Sequence, residues 1–182
     1  DYNIYALDAS TGIPIWNYRT GSSVHSSPAV SGGVVYAGSG DKNVYALDAE
    51  TGTLLWNYPT GGAVRSSPAV AYGIVYFESQ DGDLYALDAG TGALLWTYTI
   101  GDIYSDSSPA VVDGIVYFHS MDDNLYALDA MTGDLLWDYP ARGCSCPAVS
   151  DGVVYAGSTD GHLYALDAST GNLLWEYATG KP

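Results

Sequence analysis

The chain has 182 residues, of which 47% are hydrophobic, so it is long enough for one ordinary domain with a sizeable core. Five Lys and Arg residues stand against 21 Asp and Glu residues, which gives a formal net charge of −16. This acidic balance excludes the basic footprint of a nucleic-acid-binding protein. No apolar run approaches the roughly 20 residues of a membrane-spanning helix, so we expect no membrane span.

The five tryptophans reveal an internal repeat. They follow one another at intervals of 40, 40, 41 and 38 residues, and each ends a copy of the motif that begins as Ala6-Leu-Asp-Ala-Ser-Thr-Gly and finishes at Trp16. The other copies start at Ala46, Ala86, Ala127 and Ala165. A second block, Ser-Ser-Pro-Ala-Val, starts at Ser26, Ser66 and Ser107 and returns with a cysteine at Ser145. Self-similarity at this period indicates a repeat architecture.

Each full period predicts four short strands. In the first full period these are Pro28–Val30, Gly33–Tyr36, Val44–Leu47 and Leu54–Tyr58, separated by turn residues. No segment has the 3.6-residue apolar rhythm of a helix, which argues against a helical solenoid. Four-stranded antiparallel units of about 40 residues are typical of the blades of a β-propeller. The predicted fold is therefore all-β.

The strand count predicts 18 strands, because the chain starts in the middle of a blade. The predicted units are a half-blade at 1–18 and full blades at 19–58, 59–98, 99–139 and 140–177. Three arrangements would complete a ring or array: missing sequence of a longer parent, a second chain that shares the ring, or open head-to-tail addition. The first two are favoured, so the expected partner is protein, by self-association or within a larger parent chain.

The repeated motif resembles the PQQ-like repeat of the quinoprotein dehydrogenase superfamily, whose propellers typically have eight blades. The resemblance covers essentially the whole chain. It implies that each indole packs against the motif of the adjacent blade, where a glycine offers a flat backbone surface. The motif residues concerned are Trp16, Trp56, Trp96, Trp137 and Trp175, with Gly12, Gly52, Gly92, Gly133 and Gly171.

An aspartate precedes the threonine of each motif by three residues. A side chain at this spacing can close its own hairpin loop, and a residue copied in every blade serves packing before catalysis. We therefore interpret these aspartates as structural and not as paired catalytic carboxylates. They are Asp8, Asp48, Asp88, Asp129 and Asp167.

Positions where the copies differ are the candidates for function. The residue before each Ser-Ser or Ser-Cys pair is His25, Arg65, Asp106 or Cys144, and a second position holds Gly38, Glu78, His119 or Gly157. In a propeller both loops lie near the mouth of the central channel. The predicted mouth residues, for a small polar or anionic ligand, are His25, Arg65, Glu78, Asp106, His119 and Arg142. Variation of solvated loops without a ligand is the simpler alternative and is favoured.

The sequence departs from the catalytic branch of the superfamily. PQQ-dependent members resembling this chain have adjacent cysteines, a tryptophan floor and a calcium site. Here Ser145 separates Cys144 from Cys146, and the repeat motif accounts for every tryptophan. We expect no catalytic residues, no metal site and no cofactor, with PQQ and calcium both disfavoured. Cys146 stands in a serine position and is interpreted as a small buried residue.

The resemblance is therefore to the non-catalytic branch, which includes outer-membrane assembly scaffolds, kinase-linked sensor propellers and surface proteins. The expected function is a non-enzymatic binding or assembly scaffold in an extracellular, cell-surface or periplasmic protein. Two alternatives stay open: a fragment of a PQQ-dependent alcohol or sugar dehydrogenase, and a structural subunit of an open head-to-tail assembly.

Overall fold

A computed structural model describes residues 1–101, 107–143 and 145–180, and within these ranges the chain is built from β-strands alone. The all-β prediction is confirmed. No helix long and apolar enough to cross a membrane is present in the described part of the chain. The strands are β1 (Asn3–Leu7), β2 (Pro14–Arg19), β3 (Ala29–Ser31), β4 (Val34–Gly38), β5 (Asn43–Asp48), β6 (Leu54–Pro59), β7 (Ala69–Ala71), β8 (Ile74–Glu78), β9 (Asp83–Asp88), β10 (Leu94–Thr99), β11 (Ala110–Val112), β12 (Ile115–His119), β13 (Asn124–Asp129), β14 (Leu135–Pro140), β15 (Ala148–Ser150), β16 (Val153–Gly157), β17 (His162–Asp167) and β18 (Leu173–Ala178).

The strands form antiparallel sheets in chain order. A two-stranded sheet, β1–β2, is followed by four four-stranded sheets, β3–β6, β7–β10, β11–β14 and β15–β18. We call these sheets blades one to five. In every blade the outer strand runs one residue past the predicted blade boundary, as β6 does at Pro59. Pro59 belongs to the strand because it pairs with Asn43 on β5.

Tight turns join the second strand of each full blade to its first. Two successive residues have positive φ in each turn, for example Gly32 (57°) with Gly33 (78°) and Asp113 (51°) with Gly114 (80°). Two-residue hairpin turns of this kind match the right-handed twist of the flanking strands. Tyr72 also adopts positive φ (56°), and its hydroxyl accepts a hydrogen bond from the Gly114 amide of the next blade at 3.0 Å.

The core lies between successive blades. Blade two contributes Tyr36, Val44 and Ala46 to one cluster, and blade three contributes Val75 and Phe77 to the same cluster. Equivalent clusters join blades one and two, three and four, and four and five. Alternate residues of each strand face opposite neighbours, so the apolar runs of the second and third strands are buried on both sides.

In blades one to four the tryptophan of the outer strand reaches across to the following blade. The Trp16 indole nitrogen donates to the Ala49 carbonyl at 3.0 Å, and the indole ring covers Gly52. A Cβ at position 52 would meet Trp16 Cδ2 at 2.7 Å, so this glycine leaves the space that the ring fills. The same arrangement joins Trp56 to Gly92, Trp96 to Gly133 and Trp137 to Gly171.

The motif aspartates close the loop before the outer strand. Asp8 Oδ1 accepts hydrogen bonds from the Thr11 amide at 2.8 Å and from the Thr11 hydroxyl at 2.7 Å. Its pKa falls to about 2, because the Ser10 and Thr11 hydroxyls and amides stabilise the carboxylate. The same cause lowers the pKa of Asp48, Asp88 and Asp167. These carboxylates are hydrogen-bonded parts of turns, as their spacing predicts.

Candidate functional site

In blades two and three the two variable loops of the blade contact each other. The Gly40 amide donates to the Ser23 carbonyl at 2.8 Å, and the Gln80 amide donates to the Ala63 carbonyl at 2.9 Å. The Val64 amide also donates to Ser39 of the preceding blade at 3.0 Å. The loops that the sequence singles out are therefore packed together into one surface.

Three of the described candidate residues present their side chains to solvent on this surface. His25 and Arg65 are exposed at equivalent positions in successive blades. Arg142 is exposed as well and lies 3.3 Å from the Asp123 carboxylate. An ion pair between two exposed side chains contributes about 0–1 kcal/mol, so this contact gives little stability. Asp106 and Cys144 lie outside the described residues.

Glu78 and His119 differ from the expectation that they line an open mouth. They are the last residues of β8 and β12, and their exposed fractions are 1% and 0%. The equivalent residues in blades two and five are glycines, Gly38 and Gly157. The His119 side chain at this position reaches the segment that enters the next blade, at Ala141 and Ser145.

His119 connects the fourth blade to the start of the fifth. Its Nε2 lies 3.0 Å from the Ala141 carbonyl, and its Nδ1 lies 3.1 Å from both the Ser145 carbonyl and the Ser145 hydroxyl. Burial lowers the pKa of the imidazole, because the charged form loses its hydration. Both ring nitrogens thus contact the protein's own oxygens, and the geometry gives His119 a packing role.

The Ser-Ser pairs form a network that the sequence analysis missed. The first serine locks the end of the second strand: Ser66 Oγ accepts from the Glu78 amide at 2.8 Å. The second serine links blades, since the Ser27 amide donates to Ser67 Oγ at 2.9 Å and the Ser67 amide to Ser108 Oγ at 2.9 Å. The strict repetition of the Ser-Ser pair in the sequence was the signal that could have predicted this network.

Cys146 continues this chain of contacts. Its Sγ lies 3.4 Å from the Ser108 amide, where a serine hydroxyl stands in the two preceding contacts. The interpretation of Cys146 as a small buried residue is wrong, because its side chain is exposed. It precedes β15, the first strand of blade five, and no described blade follows this one.

Two concave regions lie beside the fifth blade. One, of about 480 Å³, is lined mainly by small and neutral groups that include Ser145, Thr159 and Thr179. The other, of about 550 Å³, lies between Arg142 and the carboxylates of Asp122, Asp123 and Asp160. Among the described residues, no three His, Cys, Asp or Glu side chains are grouped so that they could hold a metal ion.

Comparison with known proteins identifies the architecture. A family model described as outer membrane protein assembly factor BamB matches residues 1–104 and 104–182. The structure of BamB from Moraxella catarrhalis superposes with a TM-score of 0.86 at 29% identity, over 99% of this chain and 59% of that one. This chain thus spans about three fifths of the length of that relative. No curated protein sequence matches it.

Two dehydrogenases share the fold. A europium-containing methanol dehydrogenase superposes with a TM-score of 0.84 at 16% identity, over 97% of this chain and 47% of that one. The quinohemoprotein alcohol dehydrogenase ADHIIG from Pseudomonas putida HK5 gives 0.76 at 24% identity, over 87% and 34%. At these identities the likeness concerns the fold alone. The family match over the whole sequence places this chain in the BamB-like family of PQQ-type β-propeller proteins.

Proposed function

We propose that this chain is a non-enzymatic propeller module that acts as a binding or assembly scaffold through its two end faces. One observation carries the proposal. The Trp175 side chain is 46% exposed, whereas Trp137 in the preceding blade is 8% exposed. At the opposite end, nothing lies within 4 Å of a Cβ at Gly12, the position equivalent to Gly52. One end face thus exposes the tryptophan of this contact, and the other exposes the glycine surface on which such a tryptophan packs.

These end faces suit protein partners. Each would accept a further blade with the same motif, supplied by a second chain or by additional propeller sequence. Large aromatic groups exposed on an edge strand favour association. The family description names an outer membrane assembly factor, which supports a protein-binding role outside the cytoplasm, at the cell surface or in the periplasm.

The absence of an enzymatic role is part of the proposal. Four of the five indoles are packed against glycines of the next blade, so they cannot also form the floor of a quinone site. The described carboxylates of the motif are engaged in turns, and the described donor atoms do not converge on a cation. These observations support the proposal that the chain holds neither PQQ nor calcium.

The solution mass tests the assembly role. Sedimentation velocity over a concentration series should show self-association of the chain. Replacing Trp175 by Ala should raise the dissociation constant at least about tenfold, because an aromatic anchor at the centre of an interface commonly contributes 2 kcal/mol or more. Leu136→Ala is the control, since Leu136 is exposed to a similar degree (47%) on an inner blade.

The number of chains in the assembly distinguishes a closed ring from an open array. A discrete dimer would indicate a closed ring, and a ladder of species would favour open head-to-tail addition, because a contact between unlike faces either closes or propagates. A monomer at every concentration, with Trp175→Ala indistinguishable from the parent, would contradict self-assembly. A saturable rise of several degrees in Tm with PQQ and calcium would contradict the non-enzymatic role.

A further inference from the structure

The outer strands of blades two to four each begin with two exposed leucines. The pairs are Leu54 and Leu55, Leu94 and Leu95, and Leu135 and Leu136, with exposed fractions between 39% and 50%. Each of these three blades packs against a blade on both sides. The exposure of the leucines is therefore a property of the repeat and does not depend on either end of the chain.

A β-bulge lies at each leucine pair. On β6, Leu54 pairs with Leu47 of β5, and the next paired residue is Trp56. Leu55 is therefore an extra residue with no partner on β5. The same irregularity recurs in blades three and four. A bulge re-aims a side chain and interrupts the strand edge, so this surface suits contacts between side chains better than the addition of a strand.

Tryptophans connect the leucine pairs of neighbouring blades. Trp56 directly follows the pair of blade two, and its indole packs on Gly92, which lies two residues before Leu94. Trp96 and Gly133 join blades three and four in the same way. Both indoles are partly exposed. The leucine pairs of blades two to four and these two tryptophans therefore form a continuous apolar strip, which we call the leucine rim.

Carboxylates are concentrated at the end of the blades where the leucine rim lies. The loop before each outer strand meets the tight turn of its own blade there, since the Ala49 amide donates to the Gly33 carbonyl at 2.9 Å and the Ala89 amide to the Gly73 carbonyl at 2.8 Å. We call this end of the blades the turn end. Its carboxylates in blades two to four are Asp48, Glu50, Asp88, Asp113, Asp129 and Asp134.

The described basic residues all lie at the opposite ends of their strands. Arg19 is the last residue of β2, and Lys42 directly precedes β5. Arg65 and Arg142 lie in the segments that enter blades three and five. The leucine rim is thus bordered by negative charge, and no Lys or Arg of the described ranges lies beside it to balance that charge.

We infer that the leucine rim and the turn end together form a docking surface for a segment of a partner protein that carries both basic and apolar side chains. The apolar side chains of the segment cover the leucines, and its lysines or arginines lie beside the carboxylates. A contiguous apolar surface with a polar border is typical of an interaction site. This inference rests on the proposed scaffold role and specifies the chemistry of a partner.

Charge favours a basic protein segment over two other occupants of this surface. A second copy docked here would place its own carboxylates against these, and each chain carries a net charge of −16. Anionic lipid headgroups would be repelled by the same carboxylates, since membrane surfaces attract basic segments. We therefore assign the surface to a partner whose charge is opposite to that of the turn end.

Three labelled synthetic peptides of equal length test the surface. An alternating Lys-Leu peptide supplies both features, a Lys-Ser peptide supplies only the charge, and a Glu-Leu peptide supplies only the apolar groups. Fluorescence anisotropy should show saturable binding of the Lys-Leu peptide, at least about tenfold weaker binding of the Lys-Ser peptide, and no saturable binding of the Glu-Leu peptide. Raising the ionic strength from about 0.01 M to about 0.15 M should weaken binding of the Lys-Leu peptide.

Variants of the protein locate the Lys-Leu peptide. The double substitution Leu55→Ser and Leu95→Ser should weaken binding at least about tenfold, because two leucines no longer contribute apolar area. Met121→Ser is the control, since Met121 is 52% exposed at the opposite end of blade four, and it should bind as the parent chain does. Glu50→Gln should weaken binding roughly twofold to fivefold at low salt. Asp83→Asn removes one charge at the opposite end of blade three and should leave binding unchanged.

Three outcomes would overturn the inference: no saturable binding of the Lys-Leu peptide, equal binding of the Lys-Leu and Glu-Leu peptides, or equal binding by the double leucine variant and the parent chain. Co-sedimentation of the chain with phosphatidylcholine vesicles, lost in the double leucine variant, would assign the rim to a membrane and overturn it as well. Trp175→Ala should bind the Lys-Leu peptide normally. Peptide binding without self-association would remove the end-face contact and leave this docking surface standing, whereas self-association without peptide binding would do the reverse.

Discussion

The indole of Trp56 lies flat against Gly92 of the following blade, where its Cδ2 atom would stand 2.7 Å from a Cβ at position 92. The indole nitrogen also donates to the Ala89 carbonyl at 3.0 Å. The tryptophan thus makes two contacts with the following blade, one with the bare backbone of Gly92 and one with the Ala89 carbonyl. Because the motif is repeated, a matched position without this contact exists at Gly12.

Substitution of Gly92 by Ala measures the contact. Gly92 has a φ of +72° and Gly12 has a φ of +70°, so an alanine at either position carries a similar backbone cost, about 1–2 kcal/mol. Gly92→Ala must in addition displace the Trp56 ring, for a total of roughly 2–5 kcal/mol. Urea unfolding followed by circular dichroism compares the two variants. Equal destabilisation would show that the indole contact contributes nothing.

The buried tyrosine hydroxyls are predicted to stabilise the joints between blades. Tyr76→Phe removes the donor to the Ala130 carbonyl, at 3.0 Å, and should lower the free energy of unfolding by about 1 kcal/mol. Tyr155→Phe is the control, since Tyr155 holds the same position in the fifth blade, which no described blade follows. Equal urea midpoints for the two variants would contradict the prediction.

His119 is predicted to act in packing. His119→Phe should destabilise the chain by about 1–3 kcal/mol, because the buried Ala141 carbonyl loses its donor. The exposed His25 offers the comparison, and His25→Phe should change stability by less than about 0.5 kcal/mol. If His119→Phe melts at the parent Tm, the packing role is refuted.

Protonation of His119 gives the same residue a signature in pH. Its pKa is lowered in the folded chain by burial, so the stability it contributes is present above its ordinary value of 6.5 and is lost as the pH falls through the folded value. The parent chain should therefore lose stability on mild acidification more steeply than His119→Phe. Parallel profiles of Tm against pH would contradict this.

The motif aspartates predict a second loss of stability in strong acid. The pKa of Asp8 is about 2 in the folded chain against 3.8 ordinarily, so its contribution is complete above about pH 4 and disappears as the pH falls toward 2. Asp8→Asn should flatten this part of the profile. Asp138→Asn, an exposed substitution on β14 outside the motif turns, is the matched control. Thermal unfolding between pH 2 and about pH 5 distinguishes the two.

The strands, the antiparallel blades and the turn role of the motif aspartates could be predicted from the sequence. These features depend on contacts between near neighbours in the chain, such as Asp8 with Thr11, and the repetition of the motif averages out local exceptions. Comparison of the repeats also showed which positions differ from one blade to the next. It did not predict what the side chains at these positions contact, because the neighbouring loops and blades determine those contacts.

The structure was needed to show that Glu78 and His119 are buried, that Cys146 is exposed and that the Ser67 hydroxyl accepts a hydrogen bond from the Ser27 amide of the preceding blade. Burial and hydrogen-bond partners across a blade interface join residues about 30 to 50 positions apart, for example Tyr36 and Ala89. The residue pattern within one repeat does not predict these contacts, because they form only when one repeat packs on the next.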